Sequence, residues 1–448
     1  MIILTDEFVE KIKHGNLAVY GDYVISAITT SHISIEKDIL NGKHSPIQNI
    51  KYLLCSVLSF ILGFSRFRLS TGKNIGVGQK VIIYAANNKV APEVGVISRA
   101  LRENGIEIEC LMNEPASFPQ DQNLIRDLVI DARFLFRYVS DFIRAMYLFV
   151  SLFVVKKISV KELVVLSGAL RYLKLKYAYL SFLSGASNST RLINLFSATR
   201  EGHILNKTAH QLSIPVITYS WGSNAPALEQ KHTFQDRVWL KYSDERGKYA
   251  VGKEVVVGDI GLRSLSKSTQ TLRWDICFID SCEGELFLYP NKIEFYSDFF
   301  SALPEVSDLS IHICFHPGSK GTDGVVDCAK KYFKEVEFST GDLHNNFQQS
   351  KLVVNVCSTE IKTIMVSRFA MINLAPLWFF KYYVGKIPEF FRHTSGLDLH
   401  SLCQLGEFHT FDKLYDRCYD EELAGPIIEN LKGVGITNNG IYKALYED

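Results

Sequence analysis

Two short apolar stretches in the second half of the chain decide the predicted fold, and each ends in a cluster of polar residues. The first is IHICF (311–315), followed by HPGSK (316–320), and the second is LVVNV (352–356), followed by CSTE (357–360). Continuous apolar runs of this length predict strands that are buried on both faces of a parallel sheet. Ligands of open α/β sheets bind beyond the carboxyl ends of such strands, so both polar clusters are expected at a binding edge.

The second cluster is predicted to lead directly into a helix. After Thr359 the apolar residues acquire a helical period, and FAMINL (369–374) follows as the next strand. Ser358 and Thr359 are therefore expected at a helix N-terminus, where unpaired backbone N–H groups and the positive end of the helix dipole bind anions. With His316 nearby, these residues predict a phosphate site. A turn histidine and an ordinary helix N-cap explain the same residues without a ligand.

The order of these motifs resembles that of a known family. An HP pair, then about 40 residues, then a serine–threonine pair ahead of a helix is similar to the C-terminal half of GT-B glycosyltransferases. The similarity is greatest to bacterial sialyltransferases and related CMP-sugar transferases, in which the histidine and the hydroxyl pair bind the donor phosphate. The resemblance implies that His316, Pro317, Gly318, Ser358 and Thr359 bind the nucleotide, with His316 also helping it to leave.

The residue that activates the acceptor is predicted in the loop after another strand, DICFID (275–280). Related transferases carry their general base in an acidic motif that ends in glycine, and CEG (282–284) matches the last two positions of that motif. The resemblance implies that Glu283 takes the proton of the acceptor hydroxyl, with Glu285 and Asp280 as alternatives. Glu283 and Glu285 fit equally well as first-turn residues stabilised by the dipole of the following helix.

The length of 448 residues predicts two domains. Residues 1–265 are assigned to an acceptor-binding Rossmann-like domain with a helical insertion, and residues 266–448 to a Rossmann-like domain that binds the nucleotide sugar. The predicted fold class is α/β with two Rossmann-like domains that face each other across a cleft, the GT-B arrangement. Lys+Arg 49 balance Asp+Glu 48, so no overall field recruits nucleic acid.

The first domain has its own candidate residues. Arg200 follows a predicted strand, and the next strand and its loop, PVITYSWGSN (215–224), contain Gly222 and Ser223. This order resembles the end of a GT-B N-terminal domain, where many relatives carry a histidine before the glycine; here Trp221 stands in that place. The resemblance implies that Arg200 pairs with a carboxylate of the acceptor or donor, and that Gly222 and Ser223 offer backbone donors. An ion pair with a neighbouring acid explains Arg200 equally well.

Two apolar runs, at 52–64 and 145–155, are each flanked by Lys and Arg. Both are shorter than the ~20 residues that span a bilayer. Apolar helices with basic flanks suit an anionic membrane surface. Core helices whose charged side chains extend to solvent show the same pattern, and both interpretations stay open.

The cellular location is predicted from the N-terminus and the cysteines. Residues 1–7 lack the basic-then-apolar order of a signal peptide. The nine cysteines have no zinc-ligand spacing, which predicts buried thiols in a reducing cytosol and no metal site. The protein is expected in the cytoplasm, with the inner face of the cytoplasmic membrane as the alternative location.

The sequence thus predicts a metal-independent, inverting glycosyltransferase. Its donor would be a CMP-activated acidic sugar, such as sialic acid, a related nonulosonate or Kdo, and its acceptor a glycan or glycolipid of a surface polysaccharide. Near the two motifs the only basic residues are Lys320 and Lys362, which favours a monophosphate over a diphosphate leaving group. A UDP-sugar or CDP-glycerol-type transferase on the same scaffold, or a non-catalytic subunit that binds nucleotide or glycan, are the alternatives.

Overall fold

The computed structural model divides the chain into two compact units. The first contains residues 1–260 and 436–448, and the second contains residues 261–435. The structure describes residues 39, 42, 44–68, 79–85, 90–113, 122–154, 158–186, 189–195, 200–219, 234–241, 246–247, 252–260, 272–280, 292–316, 322–341, 343–356, 358, 360–377, 394–433 and 438–446.

The first unit is organised around a parallel sheet. Its described strands, in chain order, are β1 (Phe67–Arg68), β2 (Lys80–Ala85), β3 (Glu107–Met112), β4 (Gln122–Leu124), β5 (Ile130–Asp131), β6 (Thr190–Asn194), β7 (Val216–Tyr219), β8 (Arg237–Leu240) and β9 (Lys253–Val256). Seven of these strands form one sheet in the order β4-β3-β2-β6-β7-β8-β9, while β1 pairs with β5 separately. All six residues of β2 are buried, as expected for a strand in the interior of this sheet.

The described helices of the first unit surround this sheet or form the insertion between β5 and β6. They are α1 (Pro46–Gly63), α2 (Ala91–Glu103), α3 (Leu135–Val154), α4 (Val160–Ser167), α5 (Ala169–Leu183) and α6 (Arg200–Gln211). Local sequence sets where two of them begin. Ser45 accepts the backbone N–H of Gln48 ahead of α1, and Ser159 accepts that of Glu162 ahead of α4, so each helix starts at a capping box.

The second unit repeats the same plan. Its described strands are β10 (Trp274–Ile279), β11 (Ser310–Phe315), β12 (Glu335–Thr340), β13 (Ser350–Asn355), β14 (Ala370–Asn373) and β15 (Leu397–Asp398). They form a parallel sheet in the order β12-β11-β10-β13-β14-β15. The first strand, β10, therefore lies in the interior of the sheet. The chain adds β11 and β12 on one side of β10 and then β13, β14 and β15 on the other.

The helices of the second unit bury aromatic side chains against this sheet. Those that the structure describes are α7 (Lys292–Ala302), α8 (Thr322–Ala329), α9 (Leu343–Gln348), α10 (Ile361–Val366), α11 (Phe411–Arg417) and α12 (Glu421–Gly433). Phe299 and Phe300 of α7 both contact the ring of Phe278 in β10 edge-on, with ring centroids 5.5 and 5.9 Å away. All three rings are fully buried, so α7 is fixed by apolar packing.

Both sheets are parallel, and both have the strand order of Rossmann domains, 3-2-1-4-5-6, with a seventh strand added in the first unit. The predicted α/β class with two Rossmann-like domains is therefore confirmed. The shared order also identifies the place in each sheet where ligands of such folds bind. This is the point where the strand order reverses, between β2 and β6 in the first unit and between β10 and β13 in the second.

The C-terminal tail belongs to the first unit, which corrects its assignment to a domain at 266–448. Helix α13 (Asn438–Tyr446) packs against α2, and Ile441 and Leu445 are buried in the core of the first unit. The Arg237 guanidinium in β8 donates to the Ala444 carbonyl over 3.1 Å. Apolar burial and this hydrogen bond explain why the tail returns.

Other predicted elements also differ from the structure. The helical insertion predicted in the first domain is preceded by two short strands, β4 and β5, before α3 begins. Strands β8 and β12 were not predicted. Residues 1–7, from which the cellular location was predicted, lie outside the described residues.

Candidate active site

The crevice of the second unit lies between β10 and β13. From β10 the chain builds β11 and β12 on one side, and it then returns to β13, β14 and β15 on the other. Ligands of such sheets bind beyond the carboxyl ends of the two strands between which the order reverses. Asp280 is the first residue after β10, and Val356 and Ser358 follow β13. These residues therefore border the crevice.

His316 lies one strand away from this crevice. It is exposed and follows β11, which pairs with β10 on the side opposite to β13. Neighbouring strands are about 4.8 Å apart, so the ends of β11 and β13 are about 10 Å apart. The expectation that the His316 and Ser358 loops lie side by side is wrong, because β10 occupies the position between them. A phosphate that contacts both loops has to lie over the carboxyl end of β10.

The loop after β13 differs from the predicted helix N-terminus. Helix α10 begins only at Ile361, contains six residues and has Glu360 as its N-cap. The Ser358 hydroxyl accepts the backbone N–H of Glu360 over 3.3 Å. So short a helix aligns few peptide dipoles, which weakens the dipole argument for anion binding. Thr359 lies outside the described residues, and so do Pro317 and Gly318.

Asp280 is held inside the protein. One of its carboxylate oxygens lies 2.7 Å from the Lys292 ammonium, and the other accepts the hydroxyl of Tyr296. The Asp280 side chain has no exposed surface. Burial and the charge of Asp280 raise the pKa of Tyr296 well above its usual value, so the phenol stays a hydrogen-bond donor.

These contacts do not support Asp280 as the general base, because an acceptor hydroxyl cannot reach its carboxylate. The two other candidate bases, Glu283 and Glu285, lie outside the described residues and stay predictions. Lys292 is a basic residue beside the crevice that the sequence analysis did not single out. The signal for it is an acid at the end of a strand, followed by a lysine at the start of the next helix. Its charge is balanced by Asp280, so it adds no net charge.

A row of hydrogen-bonded side chains joins the ends of β13, β14 and β15. The Asn355 amide donates to Asn373 over 3.3 Å, and the Asn373 amide donates to Asp398 over 2.8 Å. The hydroxyl of Thr394 also donates to Asp398 over 2.7 Å. Asn355 and Asn373 are fully buried, so this network fixes three neighbouring strand ends on one side of the crevice.

Two further contacts near this edge were not predicted. The His344 ring in α9 lies 3.0 Å from the carboxylate of Glu360. This contact joins the helix before β13 to the residues after β13. Deeper in the sheet, the His312 ring meets the Ser339 hydroxyl at 3.0 Å. His312 is buried in the middle of β11, and therefore it is part of the structural core and not of the binding edge.

In the first unit, Arg200 is the first residue of α6 and follows β6, one of the two strands that border the crevice of that sheet. Its position agrees with the predicted edge, whereas Gly222 and Ser223 lie outside the described residues. His203, in the first turn of α6, is buried, with its ring centroid 5.6 Å from that of Phe234. Next to it, the Asn194 amide donates to Asn206 over 2.7 Å.

The described residues contain no group of three or more His, Cys, Asp and Glu that could hold a metal ion. Their seven cysteines are free thiols; five are buried, while Cys55 and Cys403 are exposed. Burial agrees with the predicted role of most of these cysteines as core residues.

The architecture and the two crevices define the class of the protein as an α/β protein with two Rossmann-like domains. No protein-family model matches the chain, and no curated protein matches it. Solved structures with a similar fold include a glycosyltransferase from Rickettsia africae ESF-5. The two sequences are 9% identical, and the TM-score is 0.47 over 83% of this chain and 100% of that chain.

Two other similar structures are MurG from Acinetobacter baumannii and the wall teichoic acid polymerase TagF. MurG has 9% identity and a TM-score of 0.42 over 82% of this chain and 98% of that chain. TagF has 11% identity and a TM-score of 0.43 over 90% of this chain and 99% of that chain. Similarity at this level carries no argument about activity.

Proposed function

We propose that the protein is a glycosyltransferase that moves an acidic sugar from a CMP-sugar donor to a surface polysaccharide. The sugar is sialic acid, a related nonulosonate or Kdo, and the acceptor is a glycan or glycolipid at the cytoplasmic face of the membrane. The observation that carries the proposal is the strand order of the second sheet. It provides a nucleotide-type crevice bordered by Ser358, with His316 one strand away.

The proposed reaction needs one base and a set of donors to the leaving phosphate. Glu283 removes the proton of the acceptor hydroxyl while its oxygen forms a bond to the anomeric carbon. The bond between that carbon and the phosphate oxygen breaks, and its electron pair leaves with CMP. His316, Ser358 and Thr359 stabilise the charge that develops on the phosphate. No metal ion is part of this proposal.

The acceptor is proposed to bind in the first unit. Arg200 follows β6 at the point where the order of the first sheet reverses, which is a position for a residue that contacts a ligand. A guanidinium there suits the carboxylate of an acidic sugar, because the two groups form paired, charge-assisted hydrogen bonds. Gly222 and Ser223 are proposed to supply backbone donors.

The proposal is tested by incubating the full chain with CMP-sialic acid or CMP-Kdo and a mixture of glycan acceptors in EDTA. We expect release of CMP, with the sugar found on the acceptor by mass spectrometry. Glu283→Gln should abolish the transfer while leaving the binding of CMP intact. Transfer only from a UDP-sugar or CDP-glycerol would replace the donor assignment. Nucleotide binding without any transfer would identify a binding subunit.

A further inference from the structure

Helices α1 and α3 expose an unusually large apolar surface, which we name the outer helix face. It comprises side chains between 36% and 87% exposed: Ile47, Ile50, Leu53, Leu54, Leu58, Ile61, Leu62 and Phe64 of α1 and the turn after it, and Phe136, Ile143, Tyr147, Val150, Phe153 and Val154 of α3. Isolated apolar residues are common on protein surfaces, but contiguous patches of this kind mark interaction sites.

The apolar residues lie on the sides of the two helices that face away from the core. In α1, Tyr52, Ser56 and Phe60 recur every four residues and are buried, while Leu54, Leu58 and Ile61 lie on the opposite side. In α3, residues 136, 143, 147, 150 and 154 form a similar exposed stripe. The two helices touch where the Phe60 ring stacks on Phe142 at 3.8 Å.

A polar anchor keeps α1 on the protein. By length and composition, Pro46–Arg66 is long and apolar enough to cross a membrane. Only 22% of its apolar 18-residue stretch is buried. Its inner side, however, is bound to Arg171 of α5. The guanidinium donates to the Ser56 hydroxyl over 3.0 Å and to the Tyr52 carbonyl over 3.1 Å. A helix whose inner side is held in this way by an arginine of a neighbouring helix is suited to lie on a bilayer and not to span it.

The charges around the outer helix face are almost all positive. Residues 44–68 contain no Asp or Glu, and residues 135–161 contain only Asp141. Asp141 is bound internally, because its carboxylate accepts hydrogen bonds from Lys176 over 2.9 Å and from Tyr177 over 2.8 Å. Exposed cations accompany the apolar residues: Lys51, Arg68, Arg137, Arg144 and Lys161. This combination is complementary to an anionic bilayer.

A cavity adjoins the apolar stripe of α3. It has a volume of about 640 Å³ and lies between α3, α5 and the end of α6. Phe136, Arg137 and Arg144 line it, together with the ion pair of Asp141 and Lys176, whose charges balance each other. Apolar side chains beside two arginines fit an amphiphile with a phosphate head, because the acyl chain enters the apolar layer while the phosphate meets the guanidinium groups.

We propose that the outer helix face docks the protein on an anionic lipid bilayer, with a lipid headgroup phosphate held between Arg137 and Arg144. Helix α1 then lies parallel to the surface, with its apolar side chains below the headgroups. The docking rests on the geometry of the first unit alone and is independent of the donor and reaction proposed above.

Vesicle co-sedimentation of the full chain tests the docking. The protein should sediment with phosphatidylcholine vesicles that contain phosphatidylglycerol, and much less with phosphatidylcholine alone. Arg137→Gln with Arg144→Gln should lower the partition coefficient about 30-fold, since each cation near the surface contributes about 1 kcal/mol. Arg99→Gln with Arg102→Gln is the matched control, because both arginines are exposed on α2. This control pair should change partitioning little.

The apolar part of the docking has its own variant. Leu58→Ser should lower partitioning about tenfold, whereas Leu423→Ser in the second unit, 54% exposed against 53% for Leu58, should not. Equal binding to both vesicle types, or equal effects of the two arginine pairs, would overturn the proposal. So would a dimer in solution that Leu58→Ser dissociates, without any binding to vesicles.

Discussion

The carboxylate of Asp280 and the ammonium of Lys292 lie 2.7 Å apart at the point where the strand order of the second sheet reverses. Asp280 directly follows β10 and Lys292 begins α7, so the pair fixes the start of α7 to the end of β10. The predicted base, Glu283, lies between these two residues in the sequence and outside the described residues.

Breaking this ion pair from one side should destabilise the second unit strongly. Lys292→Met leaves the buried Asp280 carboxylate without its counter-charge. Asp280→Asn likewise leaves the Lys292 ammonium without its counter-charge. Each variant should lower the free energy of unfolding by about 3–5 kcal/mol. The measurement is urea denaturation followed by a probe in the second unit.

Two comparisons separate this effect from a general loss of charge. Lys351→Met removes a pair with Asp275 whose lysine side chain is 49% exposed, and should cost about 0–1 kcal/mol. The double variant Asp280→Leu with Lys292→Met should recover much of the lost stability, because it leaves no buried charge. A single variant as mild as Lys351→Met would contradict the structural role of the pair.

His316 should matter for turnover and not for stability. It is exposed at the end of β11, so His316→Ala removes no core packing. Loss of one donor to a developing charge typically lowers kcat by about 10²–10³-fold. Steady-state kinetics of His316→Ala are compared with those of His409→Ala, which replaces another exposed histidine of the same unit. Full activity of His316→Ala would remove His316 from the phosphate site.

Lys207 should make the stability of the first unit depend on pH. Burial lowers the pKa of Lys207 to about 8 from its usual value of 10.5, and its ammonium nitrogen lies 5.5 Å from the Phe234 ring. Between these pH values the unfolded chain binds more protons than the folded chain, so stability rises as the pH increases. Below pH ~8 Lys207 is protonated in both states, and the cost of burying its ammonium group lowers the free energy of unfolding by at most about 3 kcal/mol.

Lys207→Met should therefore be more stable than the wild type at neutral pH, and the difference should vanish above pH ~10.5. Unfolding free energies at a series of pH values check this, with Lys253→Met, at an exposed lysine of the same unit, as the control. A difference between Lys207→Met and the wild type that stays constant with pH would show that Lys207 is not desolvated.

The central strands of the second sheet could be predicted because both faces of each strand are buried. β10, β11 and β13 contain continuous apolar runs, and nothing but a buried strand explains them well. β12 could not be predicted in this way. It forms the edge of the sheet, and every residue of its sequence, EVEFST, is exposed or half-buried, with two glutamates among them.

Strand order depends on contacts between residues far apart in the sequence, so local patterns did not reveal it. The sequence correctly predicted that His316 and Ser358 follow parallel strands. It did not show that β10 lies between those strands, because this depends on the pairing of Ile279 with both Cys314 and Asn355. The Asp280–Lys292 pair was missed for a related reason. Its partners are 12 residues apart and meet only when α7 folds back beside β10.

Calorimetric titration of the full chain with CMP, CDP and UDP in the presence of EDTA distinguishes a CMP-sugar donor from a nucleoside-diphosphate donor. One phosphate can be neutralised by His316 and the hydroxyls of Ser358 and Thr359, whereas a diphosphate carries more charge and usually needs further cations. We expect CMP to bind most tightly without any divalent ion, and His316→Ala to weaken this binding. Tighter binding of UDP, or binding of CMP only when Mg²⁺ or Mn²⁺ is added, would contradict the CMP-sugar assignment.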